Sequence, residues 1–293
     1  MILNRYEIFL KTAEIGNITK TAEILHYTQA GISHAIAALE KETGFSLLAR
    51  SASGVTLTEN GKRLLPYIQT LVNDQHGLSQ AIYDINETVA GTLRIATFTS
   101  VSTQWLPTII RKFQADYPLV EFDLLAGDYD EITERILSGR VDCGFLRLPS
   151  VKRLQTYALH RDELQVIVPC DHPYADRDPF PVSALAEEPF IQLEEGDDYE
   201  ITAALDRMDV RPNVRYTARE DRTMLAMVSK GLGISLLPEL MVRHSPYPVA
   251  VCHAPERFYR NIGIGVKDKG ALSASTRRFV DYVRRWVAEN GEK

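Results

Sequence analysis

The sequence predicts an α/β protein in three parts: an N-terminal winged helix-turn-helix over 1–58, a long linker helix with a hinge over 59–90, and a two-lobed α/β domain over 91–293. Three observations lead there. Several short apolar-periodic stretches, each ended by glycine or a polar cap, crowd the first part of the chain. A heptad-spaced run of Leu and Ile follows without a strong breaker. From residue 92 onward short strand-like runs alternate with helical ones, the pattern of a parallel sheet covered by helices.

Residues 4–14 place Tyr6, Phe9, Leu10 and Ala13 at helical spacing and end at Gly16. A second helix over 20–26 would bury Ala22 and Leu25, with Thr19 as its cap. His26 and Tyr27 then make a tight connection into a third helix, where the Thr28 hydroxyl can accept from the free amides of the first turn. Ile32, Ile36 and Leu39 fall at i, i+4 and i+7, one apolar stripe, and Gly44 closes the helix in the C′ position. Gln29, Ala30, Ser33 and His34 are left as a mostly small, polar surface near the helix N-terminus. Such a surface can enter a major groove, where Gln pairs with adenine and Ser with several base edges. An ordinary amphipathic helix carries the same stripe; the preceding short helix and tight turn make the layout a helix-turn-helix. Residues 50–58 then read as two short strands around Ser53-Gly54, a wing.

Phe9, Gly16-Asn-Ile-Thr19, Ala22, Leu25, Thr28-Gln29, Ile32-Ser33, Ile36, Leu39-Glu40, Gly44, Leu47, Arg50, Leu57-Thr58 and Gly61 together resemble the LysR-type transcriptional regulators in residue type, order and spacing. Three positions depart from that pattern: Ala30 where Pro is frequent, His34 where Arg is common, and Leu48 where Phe is usual. His34 lacks the fork of donors with which Arg reads guanine, so no base preference follows. The resemblance implies a cytoplasmic, ligand-responsive transcription factor, dimeric or tetrameric, gripping an inverted-repeat operator with two recognition helices. Its partners would be double-stranded DNA and a small-molecule effector, with RNA polymerase a further candidate.

Charge argues the other way. The chain carries a formal net charge of −6, whereas nucleic-acid binders tend to be basic. Residues 1–65, however, hold seven Lys/Arg against six Glu, a net of +1, and a dimer doubles the contacts. Arg50, Lys62 and Arg63 are the phosphate candidates, with the Thr58 hydroxyl and the wing amides positioning the duplex; the plain alternative for these charges is a solvated surface. Length suggests two domains. No apolar run is long enough to span a membrane, and the first twenty residues, with Glu7 and Glu14, lack the core of a signal peptide. Cys143, Cys170 and Cys252, odd in number and far apart, suggest neither disulfides nor a zinc site.

Beyond the wing, Leu64, Ile68, Leu71, Leu78, Ile82 and Ile85 are spaced 4, 3, 7, 4 and 3, with Gln75 in the gap, a heptad seam for a helix pair. It reads as a dimerising helix, against the alternative of a helix packed on its own domain. Residues 86–91 form the hinge. Strands follow over 92–97, 120–125 and 141–146, with helices over 104–117 and 129–138. A second unit has strands over 164–169, 190–193, 215–218 and 234–237, with helices over 182–186, 200–207 and 222–230. A strand over 261–266 returns towards the first unit, and an amphipathic helix over 273–287 ends the domain. Two α/β lobes, about 91–161 with 267–293 and about 162–266, resemble periplasmic binding proteins and the LysR-type effector domain. Val141-Asp-Cys-Gly-Phe, His172-Pro173 and Gly231-Leu-Gly-Ile-Ser-Leu-Leu-Pro238 carry that likeness; Gly231 and Gly233 open no dinucleotide loop.

In open α/β sheets ligands gather beyond the carboxyl ends of strands. The first such end, Thr97-Phe-Thr-Ser-Val101, offers Thr99, Ser100 and Val101, with helix capping as the competing use of the hydroxyls. Asp128, Arg147, Asp197 and Thr223 stand at other strand ends. Arg147 could clamp a carboxylate or phosphate at two points, which would make the effector anionic, or could pair with Glu194, Glu195, Asp197 or Asp198, an acidic lip that suits a cation. The sequence points to no catalytic motif, metal or cofactor: there is no Gly-x-Ser-x-Gly elbow, no His-Glu-x-x-His helix and no phosphate-loop Lys. The rival reading is a solute receptor whose N-terminal helices serve oligomerisation alone; an α/β enzyme with a helical appendage is a third.

Overall fold

The computed structural model describes residues 4–51, 54–193, 200–267 and 272–291, which form two compact units, one reaching to Gly91 and one made mainly of the residues after it. In the first unit, α1 (Arg5–Ile15) starts from an Asn4–Glu7 capping box and ends at Gly16, whose φ of 69° is left-handed. Helix α2 (Ile18–Leu25) begins two residues earlier than the sequence suggests. Asn17, not Thr19, caps it, accepting from the Lys20 amide, and this start lets Ile18 and Thr21 join the buried face. His26, at φ 56°, ends α2 in a single left-handed residue, and Thr28 caps α3 (Gln29–Thr43).

Ile32, Ile36 and Leu39 of α3 are buried with Phe9, Ala22 and Leu47 in one apolar cluster. The wing, β1 (Leu48–Ser51) against β2 (Gly54–Leu57), is antiparallel and anchored twice. Glu40 Oε1 accepts from the Leu47 and Leu48 amides at 2.7 and 3.1 Å, and the Val55 amide donates to Gly16 O at 2.7 Å. Helix α4 (Glu59–Ile85) is one continuous element with Pro66 inside it. Its seam divides. Ile68 is buried and Leu64 partly so, both against the head, whereas Leu71, Leu78, Ile82 and Ile85 are exposed by 45, 63, 50 and 81%.

In the second unit, β3 (Gly91–Thr97) leads into α5 (Thr99–Gln104) and α6 (Leu106–Asp116), then β4 (Val120–Ala126), α7 (Tyr129–Leu137) and β5 (Cys143–Leu148). The helix expected over 104–117 is thus preceded by a separate short one, broken from it at Trp105. Strand β6 (Gln155–Val168) is far longer than the sequence suggests. The second lobe follows with α8 (Val182–Glu187), β7 (Pro189–Leu193), α9 (Glu200–Arg207), β8 (Asn213–Ala218), α10 (Asp221–Ser229), β9 (Ser235–Pro238), α11 (Glu239–Val242) and β10 (Ala250–His253). Strand β11 (Tyr259–Val266) and α12 (Ala274–Asn290) return to the first lobe.

The main sheet runs β10-β6-β11-β5-β3-β4, with β9 also on β6. Its continuity depends on β6: the first part, to Glu163, pairs with β11, and the rest pairs with β9 and β10. Strand β11 pairs with β5 from Asn261 to Gly265, so it belongs with the first lobe's strands rather than with the 162–266 segment expected for the second. The first lobe is filled by Leu93, Ile95, Phe113, Phe145 and Phe279, all at most 1% exposed. The second has its own apolar cluster around Val166, Phe190, Met224 and Leu236. No described helix is long and apolar enough to cross a membrane.

Candidate functional site

Two surfaces collect the residues singled out in the sequence. The first is the N-terminal turn of α3. Its inner stripe is committed to the core, which fixes the helix and turns Gln29, Ala30 and His34 outward, exposed, with Ser33 half-buried. The Thr28 hydroxyl accepts from the Gly31 amide at 3.0 Å, leaving its proton for an external acceptor. Arg50 on β1 and Arg63 on α4 are exposed; Lys62 is paired with Glu59 at 2.8 Å. Thr58 is different. Its hydroxyl accepts from the Gly61 amide at 3.0 Å, capping α4, and donates to Ser46 O at 2.8 Å, so its one proton is already used within the protein.

The second surface lies in the α/β domain, where the β3–α5 turn, the start of α7, the end of β5 and the crossing strands β6 and β11 converge. Its centre was not legible in the sequence. Arg260 of β11 is 1% exposed and donates through Nε to Asp162 Oδ2 at 3.1 Å, through Nη2 to Asp162 and, at 2.9 Å, to Ser100 Oγ, and through Nη1 to the Tyr129 hydroxyl at 3.2 Å. Asp162, fully buried on β6, also accepts from the Leu240 amide at 2.9 Å. Burial works against the charged guanidinium, but Tyr129 and Asp162 outweigh it and hold Arg260 protonated. One ion pair therefore ties the first-lobe turn at Ser100 to α11 of the second lobe.

Of the expected effector contacts, Ser100 is in this network and buried, and Thr99 beside it is exposed. Val101 is fully buried and packs in the core. Asp128 accepts from the Glu131 amide at 2.8 Å at the start of α7. Arg147, half-buried, lies over the Tyr129 ring with Nε 3.7 Å from Glu200 Oε1. Thr223 is exposed on α10, and Asp197 lies outside the described residues. Burial pushes the carboxyls of Glu200 and Asp221 up, against the pull of Arg147 and Arg260 on Glu200 and of Arg260 on Asp221. Among the described residues no His, Cys, Asp and Glu cluster is suited to a metal.

A helix-turn-helix head with an outward-facing third helix, followed by a two-lobed α/β domain, defines a DNA-binding regulator with its own ligand-binding domain. The comparisons name its family. Residues 3–62 match the bacterial regulatory helix-turn-helix protein, lysR family, and residues 86–288 match the LysR substrate binding domain. The chain belongs to the LysR family of transcriptional regulators. It is 30% identical over 296 residues to the probable HTH-type transcriptional regulator LrrA of Synechococcus elongatus, covering 99% of this chain and 98% of that one. It is 26% identical over 287 residues to the uncharacterized regulator YvbU of Bacillus subtilis, with 97 and 98% covered. Among solved structures, the LysR family regulator HinK of Pseudomonas aeruginosa matches with a TM-score of 0.63 at 25% identity, covering 97% of each chain. Full-length CbnR complexed with its target DNA shares the fold, with a TM-score of 0.70 at 21% identity and 96 and 98% covered.

Proposed function

We propose that this LysR-type regulator binds an inverted-repeat operator as a dimer or tetramer and responds to a small-molecule effector at the junction around Ser100, Tyr129, Arg147 and Arg260, altering transcription by RNA polymerase. The observation that carries the reading is the outward face of α3, where Gln29, Ala30 and His34 are exposed above a fully buried stripe. Gln29 and Ser33 read bases, Thr28, Arg50 and Arg63 hold phosphates, and the exposed Leu71, Leu78, Ile82 and Ile85 of α4 join two chains. The effector acts by favouring one arrangement of the lobes over the other. Thr99 and Thr223 are its flanking contacts.

Fluorescence anisotropy with a duplex from the gene's own upstream region and a scrambled duplex tests this. Affinity for both falls with salt, by roughly 0.9 log units per log unit for each phosphate contacted. Gln29→Ala costs about 1–3 kcal/mol on the specific duplex, as expected for one good base contact, and much less on the scrambled one. Equal losses on the two duplexes would remove the base-reading role. Binding to neither duplex at low salt would favour the solute-receptor reading.

A further inference from the structure

Beside α9 an open cavity of about 310 Å³ is lined in part by Arg161, Glu200, Ala203, Arg207, Arg257 and Tyr259. Its charges are unevenly matched. Arg207 is paired with Glu256, and Arg257 donates to Glu163 Oε2 at 2.6 Å, so each guanidinium has a carboxylate partner within the protein. Arg161 has no carboxylate partner among the described residues; its guanidinium lies 4.1 Å from the centroid of the Tyr259 ring, which also lines the cavity. Glu200 is the complementary case. Its Oε1 is buried yet accepts no hydrogen bond among the described residues, and the Arg147 Nε at 3.7 Å is beyond hydrogen-bonding distance.

One wall thus presents a carboxylate short of a donor, and another a guanidinium short of an acceptor. A simple anion would satisfy Arg161 and repel Glu200; a simple amine would do the reverse. We propose that this cavity binds a small zwitterion of the amino-acid type, its ammonium group donating to Glu200 and its carboxylate received by Arg161. An ammonium offers three donors, and a carboxylate can take two parallel N–H bonds from a guanidinium. The volume is at the lower end of the range for small-molecule sites. Because Glu200 also faces Arg147, occupation of the cavity draws the carboxylate away from the junction proposed above for the effector, and so gives a second ligand a way to bias that site. The cavity itself stands independently of that reading.

Isothermal titration calorimetry and thermal shift on the full chain test the proposal, with the proteinogenic L-amino acids and γ-aminobutyrate at millimolar concentration as probes. Each is set against matched compounds lacking one group, such as 3-phenylpropionate and phenethylamine for L-phenylalanine. At least one zwitterion binds, and loss of either charged group weakens it roughly tenfold or more, as losing one charge-assisted hydrogen bond would. Glu200→Gln and Arg161→Met each weaken it to a similar extent while leaving duplex binding unchanged, which shows that the variants are folded. The proposal is overturned if no zwitterion gives binding heat or a shift in Tm. It is equally overturned if a one-group compound binds as well as its parent, or if neither substitution affects the bound compound.

Discussion

Asp162→Ala is the most informative single change in the α/β domain. The Asp162 carboxylate and the Arg260 guanidinium are 0 and 1% exposed, and the pair is held at one end by Ser100 and Tyr129 and at the other by the Leu240 amide. Removing the carboxylate strands a buried cation and a backbone donor together. Breaking a buried pair from one side costs about 3–5 kcal/mol, which in a domain of this size lowers Tm by roughly 6–20 °C, at about 2–4 °C per kcal/mol.

Removing both charges has a different cost, because a buried pair repays little more than its own desolvation. The double variant Asp162→Leu with Arg260→Met therefore recovers most of the lost stability, and the two single changes are strongly non-additive. Scanning calorimetry at low and high salt reads both effects; screening reaches a buried pair weakly, so the fall in Tm persists at high salt. A single variant within about 2 °C of the parent, as for an ordinary surface change, would refute the reasoning. So would a double variant no more stable than Asp162→Ala.

The exposed part of the α4 seam separates oligomerisation from folding: Ile82→Asp, at a half-exposed position, lowers the mass seen by light scattering without lowering the Tm of the head, whereas Ile68→Ala removes a buried side chain and costs about 2–5 kcal/mol. Gly54→Ala destabilises the wing by about 1–3 kcal/mol, because Gly54 sits at φ 127° and an added Cβ would lie 2.6 Å from Gly16 O; urea unfolding of the head reads the loss. Glu200 and Asp221 have carboxyls raised by burial, so the stability they contribute is full below the ordinary carboxylate range and is lost as pH rises through their raised values. Glu200→Gln removes the charged form, so the Tm of the ligand-free variant exceeds that of the parent at neutral pH and the gap closes towards pH 4, as measured by thermal shift.

What the sequence revealed and what it hid divide along a physical line. The α3 stripe was legible because Ile32, Ile36 and Leu39 are a local pattern that one helix must bury whatever surrounds it, and Thr28 and Gly44 mark its ends by local hydrogen bonding and backbone preference. The start of α2 lies two residues before the one the sequence suggests. The sequence points to Thr19 as its cap, but Asn17, also a good capping residue, holds that place, and Ile18 then lies in the helix and in the core. The first half of β6 reads as polar loop, since Gln155, His160 and Arg161 carry no apolar alternation; it is a strand because β11 supplies a partner about a hundred residues later. Arg260 was hidden for the same reason. It lies one residue before the strand expected over 261–266, and nothing local says that Asp162 will meet it. Its counterpart is 98 positions away, so its burial is a property of the pairing and not of either segment. The same logic applies to Arg147. The sequence leaves it between clamping an anion and pairing with a nearby carboxylate; in the fold its Nε stands 3.7 Å from Glu200 Oε1, a carboxylate that only the fold brings opposite it.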